Sequence, residues 1–275
     1  MAVAAYATPV ERAWYYAHRI ICAAVLLFLI APILAIMPLS FNAEPYFSYP
    51  MPGLSLRWYV DFFTNDRWKL ALWNSMIVAT AVTILATSLG TLAALGLSRT
   101  RFWARDVVMS LLISPMVIPL IISAVGMYFF YTRIGLSQSL PGLILAHTAL
   151  ATPFVVIVVT ATLSGFDNSL TRAGASLGAP PQTVFFKVIL PLILPGVISG
   201  ALFACVTSFD ESVVVLFLAG PEQRTLPKQM FSGIREMISP TITAAATLLI
   251  LFAVTMLTTI ELLRRRSERL RGIRR

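Results

Sequence analysis

Six stretches of this chain are each long and apolar enough to cross a lipid bilayer, and no other feature constrains its fold as much. They cover about 20–39, 71–97, 107–131, 140–163, 192–219 and 240–263. A helix rises about 1.5 Å per residue, so roughly 20 apolar residues span a hydrocarbon core of ~30 Å. In lipid every backbone polar group needs an internal partner, and uninterrupted apolar runs of this length meet that need as helices. Of 275 residues, 58% are hydrophobic and 12% charged, well under the roughly 25% charged of soluble domains. The expected fold is an all-α membrane protein of six transmembrane helices. Its expected parts are a leader over 1–19, a six-helix membrane domain over 20–263 and an Arg-rich tail over 264–275. The first run is too long for the apolar region of a cleaved signal peptide and is read as a retained span.

Orientation follows the positive-inside rule. With the amino terminus in the cytoplasm, the inner segments hold 14 of the Lys and Arg residues and the outer segments hold 7, which places both termini inside. The net charge of +9 invites a nucleic-acid reading, with RRRSERLRGIRR at 264–275 as its strongest support. Arginines that directly follow a membrane span are instead a topological anchor facing anionic lipid headgroups. Cys22 and Cys205 both fall inside apolar runs, where a buried thiol implies neither a disulfide framework nor a metal site.

Between the spans, 42–70 is the longest polar-rich stretch, and its LRWYVDFF segment is spaced for a short interfacial helix. Pro115 and Pro119 each remove a backbone donor, so the third span should kink or unwind in its first half. His147 reads as a hydrogen-bonded packing histidine, because a metal would need further ligands. Ser239-Pro240 is a helix-start signal, a capping hydroxyl followed by proline at the first helical position.

Charge within a span is costly and marks function by default. Asp210 and Glu211, in TSFDESVVV, stand out on that basis. On a continuous fifth helix they would lie about 100° apart. Glu211 would continue a small, polar stripe through Gly200, Ala204, Thr207 and Ser208, suited to helix packing or to a wet pathway. Glu211 is therefore expected to face a translocation path, with Asp210 bonding nearby polar groups or a cation and Phe209 gating or offering its ring to an ammonium. A structural reading, in which the acids are hydrated or cap a neighbouring helix, stands beside it.

The inner loop between spans four and five, about 164–191, contains RAGASLGAPPQTVFFKV. Asp167, Asn168 or Ser169 can cap a first short helix, and Gly178 sits where such a helix ends. Pro180 or Pro181 opens a second helix, expected to stop before Pro191. The loop is thus a helical hairpin. Its second arm carries an apolar ridge of Val184, Phe185, Val188 and Ile189, which must be covered either by the chain's own helix ends or by a groove on a partner.

These residues resemble the EAA loop of ABC-type importer permeases, whose pattern here runs Arg172-Ala173-Gly174, Gly178 and then Val188-Ile189-Leu190-Pro191. The downstream LPGVISGALFACVTSFDESVVVLFLAGPEQRTLP is similar to the spermidine and putrescine branch of that family. The resemblance implies a permease subunit whose hairpin docks on a cytoplasmic ATPase through Ala173, Gly174, Gly178, Phe185 and Phe186. Arg172 stands where the family pattern often has Glu, and would there meet an acidic ATPase residue. It further implies two ATPase subunits that use ATP and Mg, a second and different permease, an extracytoplasmic binding protein, and an inner-membrane location. The chain has no Gly-Lys step and so no phosphate loop, which leaves ATP hydrolysis to another chain and the present one without a cofactor. An ion-gradient-driven transporter with Asp210 or Glu211 as proton carrier is the alternative, and it leaves the hairpin without a role. An intramembrane enzyme is disfavoured, because the sequence lacks H-E-x-x-H and a second aspartate deep in a span.

Overall fold

The computed structural model describes residues 8–99, 103–236 and 239–270. The last residues of the tail, 271–275, and the first of the leader, 1–7, lie outside that set. Among the described residues the fold is helical, with one isolated antiparallel bridge between Asn42 and Leu54. The first helix, α1 (Pro9–Leu39), begins within the leader at a capping box in which Thr8 and Glu11 satisfy each other's backbone N–H. It has no buried residue and packs chiefly along the last helix, α12 (Pro240–Leu270). That helix begins where Ser239 Oγ accepts from the Thr241 N–H, as the Ser-Pro signal implied, and runs on past the expected end of its span.

Three helices form the centre: α3 (Asp66–Arg99), α6 (Leu140–Ser164) and α9 (Leu190–Asp210). Van der Waals packing rather than hydrophobic expulsion holds helices together in lipid, so small residues sit where the backbones approach. A Cβ on Gly90 would lie 2.6 Å from Val155 Cβ, and one on Gly196 would lie 2.7 Å from Thr162 Cβ. Val78, Val82, Val155, Val159 and Ile193 fill the space around these contacts and are fully buried.

The third span unwinds in its first half, as its two prolines implied, and breaks there outright. It divides into α4 (Arg105–Val117) and α5 (Leu120–Arg133), whose axes differ by 101°. Pro119 forces the residue before it out of the helical region, and Ile118 accordingly takes φ −70°, ψ 132°. Pro115, by contrast, is absorbed inside α4. Among the described residues, five helices are long enough to span singly, and the broken pair makes a sixth crossing if counted as one.

At the opposite end from the hairpin, α2 (Arg57–Thr64) is the short helix expected in LRWYVDFF, yet it is packed rather than merely interfacial. Trp58 and Phe62 are buried, the Trp58 indole N–H donates to the Asn42 carbonyl at 2.6 Å, and Thr241 Oγ1 donates to Asp61 Oδ2 at 2.7 Å. The segment that leads into α11 (Leu226–Glu236) is tied down from several sides. Asn74 Nδ2 donates to the carbonyls of Glu222 and Arg224, and Ser75 Oγ accepts from the Leu226 N–H. Lys228 Nζ donates to the Ala219 carbonyl, and burial, with Arg224 nearby, holds its ammonium below the usual lysine range.

Candidate functional site

The hairpin is built as its sequence implies in the first arm and differently in the second. Asp167 caps α7 (Asn168–Ser176), accepting from the Ser169 N–H at 2.8 Å and the Ser169 hydroxyl at 2.6 Å. Those two bonds, with Arg172 adding a smaller attraction, hold the Asp167 carboxyl below the usual carboxylate range. The arm ends in a turn closed by Gly178 N–H to the Ala175 carbonyl and Ala179 N–H to the Gly174 carbonyl. Gly178 has φ +78°, a conformation that a Cβ would strain. Where the arms cross, a Cβ on Gly174 would stand 3.2 Å from Val184 Cγ2.

The second arm does not stop before Pro191. It runs from α8 (Pro181–Val184) through a π-helical turn, Phe185–Ile189, directly into α9. Pro191 cannot donate to the carbonyl four residues back and its ring crowds that turn. The wider turn, in which the Leu190 N–H reaches the Phe185 carbonyl, accommodates it without ending the helix.

Of the two covers proposed for the apolar ridge, the chain supplies its own. Val184 and Ile189 are 4% and 1% exposed in the main core, and Phe185 and Val188 pack against it half-buried. The most exposed large apolar side chains of the hairpin are Phe186, 62% exposed, and Leu177, 88% exposed. Arg172 and Ala173 lie on the same exposed arm. Phe185 and Phe186 meet edge to face at 4.9 Å, so one aromatic ring faces inward and supports the other. Sequence reasoning missed Leu177. Its signal was a large apolar residue directly before the turn glycine, with no helical partner to cover it.

The acidic pair lies at a second break. Helix α9 ends at Asp210, Glu211 is extended at φ −68°, ψ 116°, and a short helix, α10 (Val213–Leu218), follows. The separation of about 100° expected on a continuous helix therefore does not apply. Glu211 Oε1 accepts from the Val214 N–H at 2.9 Å, so the carboxylate caps α10 and satisfies a backbone donor that the break would strand. The small, polar stripe serves packing. A Cβ on Gly200 would stand 3.2 Å from Val155 Cγ1, Ala204 is fully buried, and Ser208 Oγ lies 3.1 Å from His147 Nδ1. Thr207 is half-buried beside them, and His147 has the hydrogen-bonded packing position that its sequence context implied.

Phe209 is buried against Phe252 of α12, with ring centroids 4.7 Å apart. Asp210 points away from that stripe. Its carboxylate is exposed and has no hydrogen-bond or cationic partner among the described residues. It stands over a groove of about 220 Å³ between α9 and α12, otherwise lined by Val206, Phe209, Leu249, Ile250, Phe252 and Ala253.

A multi-pass helical bundle with broken spans and a two-armed hairpin feeding directly into one span defines the class of a solute permease. The description of binding-protein-dependent transport system inner membrane components matches residues 86–271, and the chain belongs to that family. It is 33% identical over 241 residues to the spermidine/putrescine transport system permease protein PotC of Haemophilus influenzae, covering 88% of this chain and 93% of that one. It is 34% identical over 230 residues to the putrescine transport system permease protein PotI of Escherichia coli, with 81% and 82% covered. Among solved structures it is similar to a bacterial ABC transporter involved in the import of the acidic polysaccharide alginate. That match has a TM-score of 0.73 at 14% identity and covers 93% of this chain and 98% of that one. It is also similar in fold to the MetNI methionine ABC transporter, with a TM-score of 0.53 at 22% identity, covering 74% and 95%. The chain is therefore the permease subunit of an ABC importer, a multi-pass inner-membrane protein and not an enzyme. In these systems the ATPase is a separate subunit, and the gradient-driven alternative is not favoured.

Proposed function

We propose that this permease imports linear polyamines or closely related small amines. It would work with an extracytoplasmic binding protein that delivers the solute, a second and different permease, and two ATPase subunits that use ATP and Mg. The hairpin and both termini face the cytoplasm in this reading, in keeping with the excess of Lys and Arg on that side.

One observation carries the coupling: the hairpin covers its own ridge and still presents Leu177 and Phe186 outward, beside Arg172 and Ala173. Such side chains fit a groove on a soluble partner. Gly174 and Gly178 set the angle at which they are offered, and Phe185 backs Phe186. Because the second arm is continuous with α9, movement of the docked hairpin is passed along that helix to the break at Asp210 and Glu211. Thr207, Ser208 and Phe209 form the last turn before the break, Glu211 maintains it, and Asp210 meets the cation.

The test is uptake of labelled putrescine and spermidine in cells that lack other polyamine importers and express this chain with its cognate partners. Uptake that requires the ATPase and is lost with Leu177→Asp supports the reading. Uptake by the chain reconstituted alone would overturn it.

A further inference from the structure

At the end of the bundle opposite the hairpin, a polar cavity and an apolar cavity follow one another along the same helices. We propose that together they hold one phospholipid of the phosphatidylethanolamine type, its headgroup in the polar cavity and an acyl chain in the apolar one.

The polar cavity, about 240 Å³, lies among α2, α11 and the first turns of α3 and α12, and its polar lining is Asp61, Asn65, Arg67, Gln229, Ser239 and Thr241. Asp61 and Arg67 bring opposite charges to this one space without pairing with each other, since the ion pair found among the described residues is Lys69–Asp66. Asp61 Oδ2 is taken by the Thr241 hydroxyl, which leaves Oδ1 for another donor. Gln229 gives its oxygen to Arg224 Nη1 and keeps its amide NH2. Thr241 and Gln229 are buried, so the framework around the two charges is fixed. A group with its own phosphate and its own ammonium complements such a lining. The planar guanidinium suits the phosphate, and the carboxylate suits an ammonium that still has N–H bonds to donate.

One turn deeper along the same helices, the second cavity has about 180 Å³ and only apolar lining, including Phe63, Leu72, Met76, Leu226, Ala245 and Leu248. Buried Phe62, Trp68 and Ile242 separate the two spaces, with the Phe62 and Trp68 ring centroids 5.5 Å apart. The lower cavity opens sideways, because Phe63 and Met76 on its rim are 55% and 46% exposed. Charged Asp66, Arg67 and Lys69 precede the apolar run that begins at 71, so the polar cavity sits at the water boundary and the apolar one in hydrocarbon. From Arg67 to Met76 is about 14 Å along α3, and from Thr241 to Phe252 about 16 Å along α12. Either length is about half of a ~30 Å hydrocarbon core, the depth of one leaflet. A soluble protein reaches only the upper space. A helix of another subunit, roughly 10 Å across, is too wide to enter the lower one. An acyl chain with a zwitterionic headgroup reaches both.

The test places the intact transporter in nanodiscs of phosphatidylglycerol doped with phosphatidylethanolamine or phosphatidylcholine that carry the same diazirine acyl chain. Adducts are mapped by peptide mass spectrometry and normalised to those on α1, which buries no side chain. Adducts on 63–76 and 245–252 should be roughly five- to tenfold more abundant with phosphatidylethanolamine, because methyl groups deny phosphatidylcholine the N–H bonds. Asp61→Asn, whose amide oxygen can still accept from Thr241, should reduce phosphatidylethanolamine to the phosphatidylcholine level. Arg67→Gln should lower both lipids by a similar factor, since both carry the phosphate. Lys69→Gln removes a charge from the same turn of α3, already paired with Asp66, and should change neither. Equal adducts from the two lipids, or an equal loss with Lys69→Gln, overturn headgroup recognition. Labelling of α1 with none on 63–76 or 245–252 would mean that a protein neighbour covers the cleft, and overturns the lipid assignment. Competition by soluble glycerophosphoethanolamine as complete as by the intact lipid would overturn the role of the apolar cavity.

Discussion

Replacing Leu177 and Phe186 together by Ala should uncouple the permease from its ATPase without unfolding it. Burying a large apolar side chain fully is worth about 1.5–3 kcal/mol. Scaled by exposures of 88% and 62%, docking gains about 1.3–2.6 kcal/mol from Leu177 and about 0.9–1.9 kcal/mol from Phe186. Together these come to about 2.2–4.5 kcal/mol, or roughly 40- to 1,600-fold in an association constant. The measurement is binding of the purified ATPase to the permease pair in nanodiscs, with stimulated ATP hydrolysis followed in parallel. Because neither side chain is buried within the chain, its thermal midpoint should stay within a degree or so of the unaltered protein, in line with other exposed substitutions. Val184→Ala is the contrasting control. That side chain is buried in the core, so its truncation should lower the midpoint while leaving the docking side chains in place. Unchanged ATPase affinity in the double variant would refute the reasoning, because it would mean that the exposed pair faces no partner.

Gly196→Val should lower the thermal midpoint, at a cost of about 1–3 kcal/mol, because its side chain would strike Thr162 on the facing helix. Thr162→Ala in the same chain should recover part of the loss, and the absence of any recovery would show that the strain lies elsewhere. Glu211→Gln keeps an oxygen for the Val214 N–H and should retain most uptake and stability. Glu211→Leu should lose about 1–2 kcal/mol as a removed cap, and equal behaviour of the two variants in uptake and melting would argue against capping. The Asp167 carboxyl is depressed in the folded state, so its support for α7 is fully present above the unfolded value of about 3.9 and is lost as pH falls through the lower folded value. Hydrogen exchange across 168–176 should therefore be flat from pH 7 to about pH 5 after correction for intrinsic rates, and should then lose protection on further acidification. Asp167→Ala should remove that dependence.

Much of this protein was legible in its composition. Lipid admits few backbone solutions, so run length alone dictated that the apolar runs are helices, and Gly178, Asp167 and Ser239-Pro240 marked their own turn and caps through local rules that need no partner. What could not be read were the outcomes of competition between distant groups. Pro119 broke its span while Pro115 and Pro191 did not, the latter accommodated by the wider turn before it, and no local signal distinguishes the three. The ridge from Val184 to Ile189 was visible as an apolar face, but only packing against the chain's own core turned it inward and left Leu177 and Phe186 outside. Asp210 and Glu211 are adjacent and chemically alike. The sequence determined that two charges lie at the end of an apolar run, and the tertiary structure decided which is consumed: the break strands a backbone N–H that Glu211 satisfies, and Asp210 is left exposed without a hydrogen-bond partner among the described residues.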